Sequence, residues 1–284
     1  GQPKETMEYE YGRLHGKHVT YYADGTTKSE ANYYKGLLDG HFKTFYPNGQ
    51  LNTVYNNESG QKTGGFQSYN EEGDLIMEGF FREGKMDGTA TAYHDNGEIK
   101  STNQYRNGVR INESRYFTEE GQLTKTIRFS NDGSEQTIRE FYPDGGLKAE
   151  RTMMDDLEEG TWHFYYPDGT DSLEENYTHG KLNGPRLSYD PEGRLIREEP
   201  YVHGSISGIL KTYYPSGKIR EEVTYRSNQR HGPYHAYHEN EQPEIEGRYA
   251  GNRKVEEWTF YDKNGEPVKK AFYTNNKLTR EINF

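Results

Sequence analysis

The sequence predicts an all-β fold: an elongated, twisted antiparallel meander of consecutive β-hairpins, a repeat solenoid with a 24-residue period. Three observations predict it. An aromatic residue recurs eleven times at that spacing, as Tyr21, Phe45, Tyr69, Tyr93, Phe117, Phe141, Tyr165, Tyr189, Tyr213, Tyr237 and Tyr261. Four residues after each stands a turn residue, glycine in ten cases and Glu241 in the other. Twelve residues after the first ladder comes a second: Tyr33, Phe81, Tyr105, Phe129, Tyr177, Tyr201, Tyr225, Tyr249 and Tyr273, broken by Asn57 and Met153. Self-similarity at a fixed period marks one structural unit copied along an axis.

Each element of the unit follows from its residues. In Gly36 to Ser59, a segment from His41 to Tyr46 leads into Pro47-Asn48-Gly49, and Gln50 to Asn57 returns. Proline presets φ for the first central turn position, Asn or Asp suits the next, and Gly accepts the left-handed conformation that closes a hairpin. The turn recurs as Pro143-Asp144-Gly145, Pro167-Asp168-Gly169, Pro191-Glu192-Gly193 and Pro215-Ser216-Gly217. On the return strand a Leu or Ile, such as Leu51, Leu75 or Ile99, stands six residues before the second aromatic position. Even spacings share a strand face, so both are expected on one packed side.

The link to the next hairpin is Gly36, Gly60, Gly84, Gly108, Asp132, Asp156, Gly180, Gly204, Asn228, Asn252 or Asn276. These residue types enter the left-handed region at low cost, so positive φ is expected at every link. A further glycine four residues on, as in Gly40 and Gly64, reads as part of the same tight turn. Residues 12–275 form eleven repeats without insertion, flanked by half-repeat caps at 1–11 and 276–284. One repeat domain, 1–284, of 22 or 23 strands is expected.

Leu, Ile, Val and Phe are scarce, but 26 Tyr and 12 Phe supply the apolar mass, and periodicity overrides the lean towards disorder that composition alone would suggest. There is no cysteine, which excludes disulfides, thiolate metal sites and cysteine nucleophiles. No apolar run approaches a membrane span of about 18 to 20 residues. A formal net charge of −11 without any basic block disfavours nucleic acid and anionic membrane surfaces, and suits a basic protein partner. The chain opens Gly1-Gln2-Pro3 without an initiator Met, so an export signal would not be visible in it.

The pattern of Gly36 to Val54 and Gly160 to Glu174, G-x-x-x-G-x-aromatic-x-x-aromatic-Tyr-Pro-Asp/Asn-Gly-x-Leu, resembles the bacterial MORN repeat variant found in proteins labelled YwqK-type antitoxins. The resemblance spans nearly the whole chain. It implies a β-meander serving as scaffold, membrane-associating module or protein-binding module, and it transfers no catalytic motif. The function expected is a non-enzymatic interaction scaffold, periplasmic or in the cell envelope. The alternatives are an antitoxin or immunity protein, a glycan- or peptide-binding surface protein, and a cytoplasmic location.

Candidate sites are few. Tyr22, Tyr46, Tyr142, Tyr166 and Tyr214, each directly after the first aromatic, are expected to point away from the buried ladder, sharing a face with Phe42, Phe66, Trp162, Tyr234 and Trp258. They are the candidate partner-binding aromatics. His231, His235 and His238 are the closest histidine cluster, but on a strand 235 and 238 face opposite sides, so no metal site is expected. Glu30, Glu78, Glu150, Glu174, Glu198, Glu222 and Glu246 form a ladder in one phase, expected to pair with basic residues such as Lys43, Arg139 and Lys211. Repetition in seven units argues for structure and against a catalytic carboxylate pair. No cofactor is expected.

Overall fold

The computed structural model describes residues 3–284; Gly1 and Gln2, at the start of the expected N-terminal cap, lie outside the described residues. Among the described residues there are 27 strands and no helix. Part of the excess over the expected count arises where Asp87, Asn183 and Ser207 each interrupt a strand, as between Lys85–Met86 and Gly88–Tyr93. Contacts divide the chain into two compact units, Gly1–Gln136 with Pro143–Gly145, and Thr137–Tyr142 with Gly146–Phe284.

In the first unit, strands from Glu5–Glu10 to Leu123–Phe129 pair antiparallel with their sequence neighbours. In the second, strands from Leu147–Met154 to Lys277–Asn283 do the same. The hairpin turns form as their sequence requires: Tyr46 N–H donates to the Gln50 carbonyl at 2.8 Å and Gly49 N–H to the Tyr46 carbonyl at 2.9 Å. Glu241 occupies the glycine position with φ of 68°.

Ten of the eleven links have positive φ at the expected residue, Asp132 being the exception. There the left-handed residue is Gly133, whose N–H donates to the Ser130 carbonyl at 3.1 Å. The second glycine of each link is not part of the turn. Gly40, Gly64 and Gly88 lie within the following strand region at φ of 98°, 72° and 98°, where two extra residues bulge the strand, as between Leu38 and Phe42 opposite Tyr33 and Ala31.

A second bulge follows ten of the hairpin turns and decides the faces. Phe45 pairs with Leu51 and Thr44 with Thr53, so Asn52 is extra. Side chains alternate with period two, so one inserted residue transfers the rest of the strand to the opposite face. Leu51 therefore sits with the first aromatic ladder, while Tyr55 pairs with Phe42 and Phe66. The aliphatic residue and the second ladder do not share the packed side that even spacing suggested.

In each unit the core lies on the second ladder's face. Phe66, Ala90, Ser114, Trp162, Leu210 and Trp258, in phase at 24-residue intervals, are all buried. Phe66 packs on Phe81 with ring centroids 5.0 Å apart, and Trp162 on Tyr177 at 4.4 Å. The aromatics at 66, 162 and 258 thus form the core and not an open groove. In the second unit Trp258 is 1% exposed among Tyr249, Ala271, Tyr234 and Tyr273.

Candidate functional site

Tyr22, Tyr46, Tyr142, Tyr166 and Tyr214 share one task in the structure. Each phenol donates to the carbonyl of the first-ladder aromatic in the next repeat: Tyr22 to Phe45 (2.7 Å), Tyr46 to Tyr69 (2.9 Å), Tyr142 to Tyr165 (2.8 Å), Tyr166 to Tyr189 (2.8 Å) and Tyr214 to Tyr237 (2.7 Å). His94 and His238 stand in the same place, with Nε2 2.9 Å from the Phe117 carbonyl and 3.2 Å from that of Tyr261. These side chains are half-buried staples between successive turns, and a neutral phenol bonded to a carbonyl is worth about 0.5–1.5 kcal/mol.

The glutamate ladder lies on the opposite face from the core, beside the first aromatic ladder. Of the basic partners named from the sequence Arg139 bonds Glu150, and Lys17, which is not among them, bonds Glu30 at 3.0 Å. Lys43 and Lys211 stand opposite ladder glutamates in register but make no ion pair within 4.0 Å. Phenols take that role. Tyr93 donates to Glu78 at 2.7 Å, Tyr213 to Glu198 at 3.0 Å, Tyr237 to Glu222 at 3.2 Å and Tyr261 to Glu246 at 2.8 Å. Burial, and then the bond to Glu198, push the Tyr213 phenol up to about 12. Tyr237 and Tyr261 rise for the same two reasons. The phenols stay neutral donors to these carboxylates.

The core face of the second unit holds a charged cluster around Glu199. Glu199, 4% exposed, accepts from Arg186 and Arg197, both at 2.8 Å. Burial pushes its carboxyl up, but the two arginine bonds outweigh that and hold it below the usual carboxylate range. Arg186 also bonds Glu175 at 2.8 Å. The cluster is satisfied internally and offers nothing to a ligand.

Histidines 231, 235 and 238 are not brought together: His238 bonds the Tyr261 carbonyl, while His235 lies 3.9 Å from Glu246. Among the described residues no three His, Asp or Glu side chains could share a metal ion.

Sequence reasoning missed a concavity of about 520 Å³ in the first unit, lined by His41, Asn56, Gly65, Phe80, Thr89 and Thr91 beside Gln67 and Glu78. Its sequence signal is the Gly64-Gly65 doublet, because the second glycine falls where other repeats carry a side chain.

A hairpin with a bulge after its turn and a left-handed link recurs along the chain, joined in many repeats by a glycine bulge and a staple to the next turn. Five segments match the MORN repeat variant. They are residues 14–35, 38–56, 86–107, 207–227 and 257–275. Residues 57–85, 108–206 and 228–256 between these segments are unmatched, and in the longest of them Asn112 and Asp156 stand at positive φ where other repeats carry glycine. A search of curated proteins returns no match. Among solved structures, the chain aligns over 96% of its length with "Crystal Structure of TcdB2-TccC3-Cdc42", at 12% identity and a TM-score of 0.21. It aligns over 92% with "Crystal Structure of TcdB2-TccC3 without hypervariable C-terminal region", at 13% identity and a TM-score of 0.21. The chain spans only 18% and 17% of those chains, and a likeness at this level carries no argument.

Proposed function

We propose that this protein is a non-enzymatic interaction scaffold whose second unit binds a basic protein segment on the glutamate face. The observation that carries this reading is the row of three Glu–Tyr pairs, Glu198 with Tyr213, Glu222 with Tyr237 and Glu246 with Tyr261. Equivalent glutamates lie two strands apart, about 10 Å. A chain in the polyproline II conformation advances about 3.1 Å per residue with three residues per turn, so cations at every third residue share one side and match that spacing. The phenols are neutral donors that orient the carboxylates, and a row of acidic side chains so held suits a cationic partner. Net charge of −11 supports the same sign of partner.

Fluorescence anisotropy with a labelled peptide carrying lysine at every third residue tests this. Binding should exceed that of a peptide with the same lysines clustered, weaken with salt, and fall at least tenfold in the triple variant E198Q/E222Q/E246Q. Equal binding of both peptides, or no loss in the triple variant, would sink the proposal. An antitoxin role is the special case of this reading in which one toxin supplies the basic surface. Placement in a bacterial envelope, proposed alongside, rests on the repeat resemblance and is checked by fractionation of the native host.

A further inference from the structure

Three described glycines in strands lie outside the left-handed region, so their backbone would accept any residue: Gly65, Gly79 and Gly247. Packing explains two of them. A Cβ on Gly79 would fall 2.6 Å from the Phe66 ring, and one on Gly247 would fall 2.3 Å from the Trp258 indole. Gly65 has neither reason: a Cβ there would meet nothing nearer than the Gly79 carbonyl oxygen at 3.9 Å. Glycine weakens a strand interior and marks places where a ligand comes close to the backbone. The missing side chain of Gly65 leaves the floor of the concavity open.

The walls have the chemistry of a site. His41, Asn56, Thr89 and Thr91 line the concavity, and none of their side chains is used in a hydrogen bond or ion pair within the protein. Phe80, opposite Gly65 in register, is 45% exposed. The one lining carboxylate, Glu78, already accepts from Tyr93 at 2.7 Å on one oxygen and from Gln67 at 3.4 Å on the other, so a cation is poorly matched. No Lys or Arg lines the space, so an anion is unmatched as well. What remains, beside Val54 and Tyr55, is a set of side chains that can both donate and accept, next to one exposed aromatic ring. Sugar hydroxyls likewise both donate and accept, and a pyranose presents a flat apolar face to an aromatic ring. The volume of about 520 Å³ falls within the range of small-ligand sites.

We propose that this concavity binds a neutral carbohydrate, with a pyranose face on Phe80, hydroxyls bonded to Asn56, Thr89, Thr91 and His41, and the ring seated over Gly65. The site is independent of the glutamate face of the second unit.

Saturation-transfer NMR and calorimetry with neutral trisaccharides of glucose, galactose, mannose and N-acetylglucosamine test it. At least one should bind, insensitive to salt and unaffected by the triple variant E198Q/E222Q/E246Q. Phe80→Ala should weaken binding at least tenfold. Gly65→Thr should abolish it by filling the floor, while thermal unfolding followed by circular dichroism shows the fold retained. Binding of none of the four overturns the proposal, as does equal binding in folded Gly65→Thr. Preferential binding at this site of the lysine peptide used for the glutamate face also overturns it.

Discussion

Trp258 lies over Gly247, and a Cβ added to that glycine would fall 2.3 Å from the indole carbon Cδ2. The ring fills the place of a side chain on the neighbouring strand, which is why the two positions have to be read together. Gly247→Ala should therefore overpack the core by about 1–3 kcal/mol. Gly79→Ala, 2.6 Å from Phe66, should behave alike. Gly65→Ala should be neutral or stabilising by up to about 1 kcal/mol, because its backbone already suits alanine. Urea midpoints of the three variants check the contrast, and a Gly65→Ala loss equal to the others would refute it.

The staples should be additive when far apart. Tyr46→Phe and Tyr214→Phe each remove one phenol-to-carbonyl bond at 2.9 and 2.7 Å. Each should cost about 0.5–1.5 kcal/mol, and the double variant their sum, since the sites share no partner. Chemical denaturation measures this, and a null effect of both would mean water replaces the phenol without loss.

Glu199 should contribute to acid sensitivity. Its folded pKa is held below the unfolded one, so its stabilisation is present above about pH 4.5 and is lost as pH falls through the folded value. Glu199→Gln should lower stability at pH 7 by about 1.5–3 kcal/mol, from two charge-assisted bonds weakened together. It should also flatten the decline below pH 4.5. Urea melts from pH 3 to 7 for both proteins provide the comparison, and parallel curves would remove Glu199 from the account.

Tyr213 gives the alkaline counterpart. Its phenol is pushed up from 10.0 to about 12, so the stabilisation is fully present below pH 10 and is lost as pH rises towards 12. Absorbance titration near 295 nm should lose a late-ionising phenol in Tyr213→Phe. Glu198→Gln should keep that phenol but bring its ionisation to lower pH. An unchanged profile in both would show that neither the bond nor the charge acts on it.

The sequence by itself determined the 24-residue period, the hairpin turn and the left-handed link, because each depends on backbone preferences local to a few residues. Pro47-Asn48-Gly49 closes a turn in any surroundings, and Gly36 or Asn252 accepts positive φ without help. The candidate site was less legible. Tyr46 was recognisable as a recurring aromatic, but its bond to Tyr69 depends on where the next hairpin comes to lie. Gly65 is visible in the sequence only as the second half of a Gly64-Gly65 doublet, and its ordinary backbone and its place opposite Phe80 set it apart.

The tertiary structure alone decided which face is the core. Strand alternation carries a parity that one inserted residue inverts, and Asn52 and its equivalents are inserted residues that the residue pattern does not mark. That inversion places Phe66 and Trp258 inside and leaves Glu198, Glu222 and Glu246 on the other face with their phenols. Local chemistry fixed the repeat, while pairing between strands fixed what each repeat buries and what it presents.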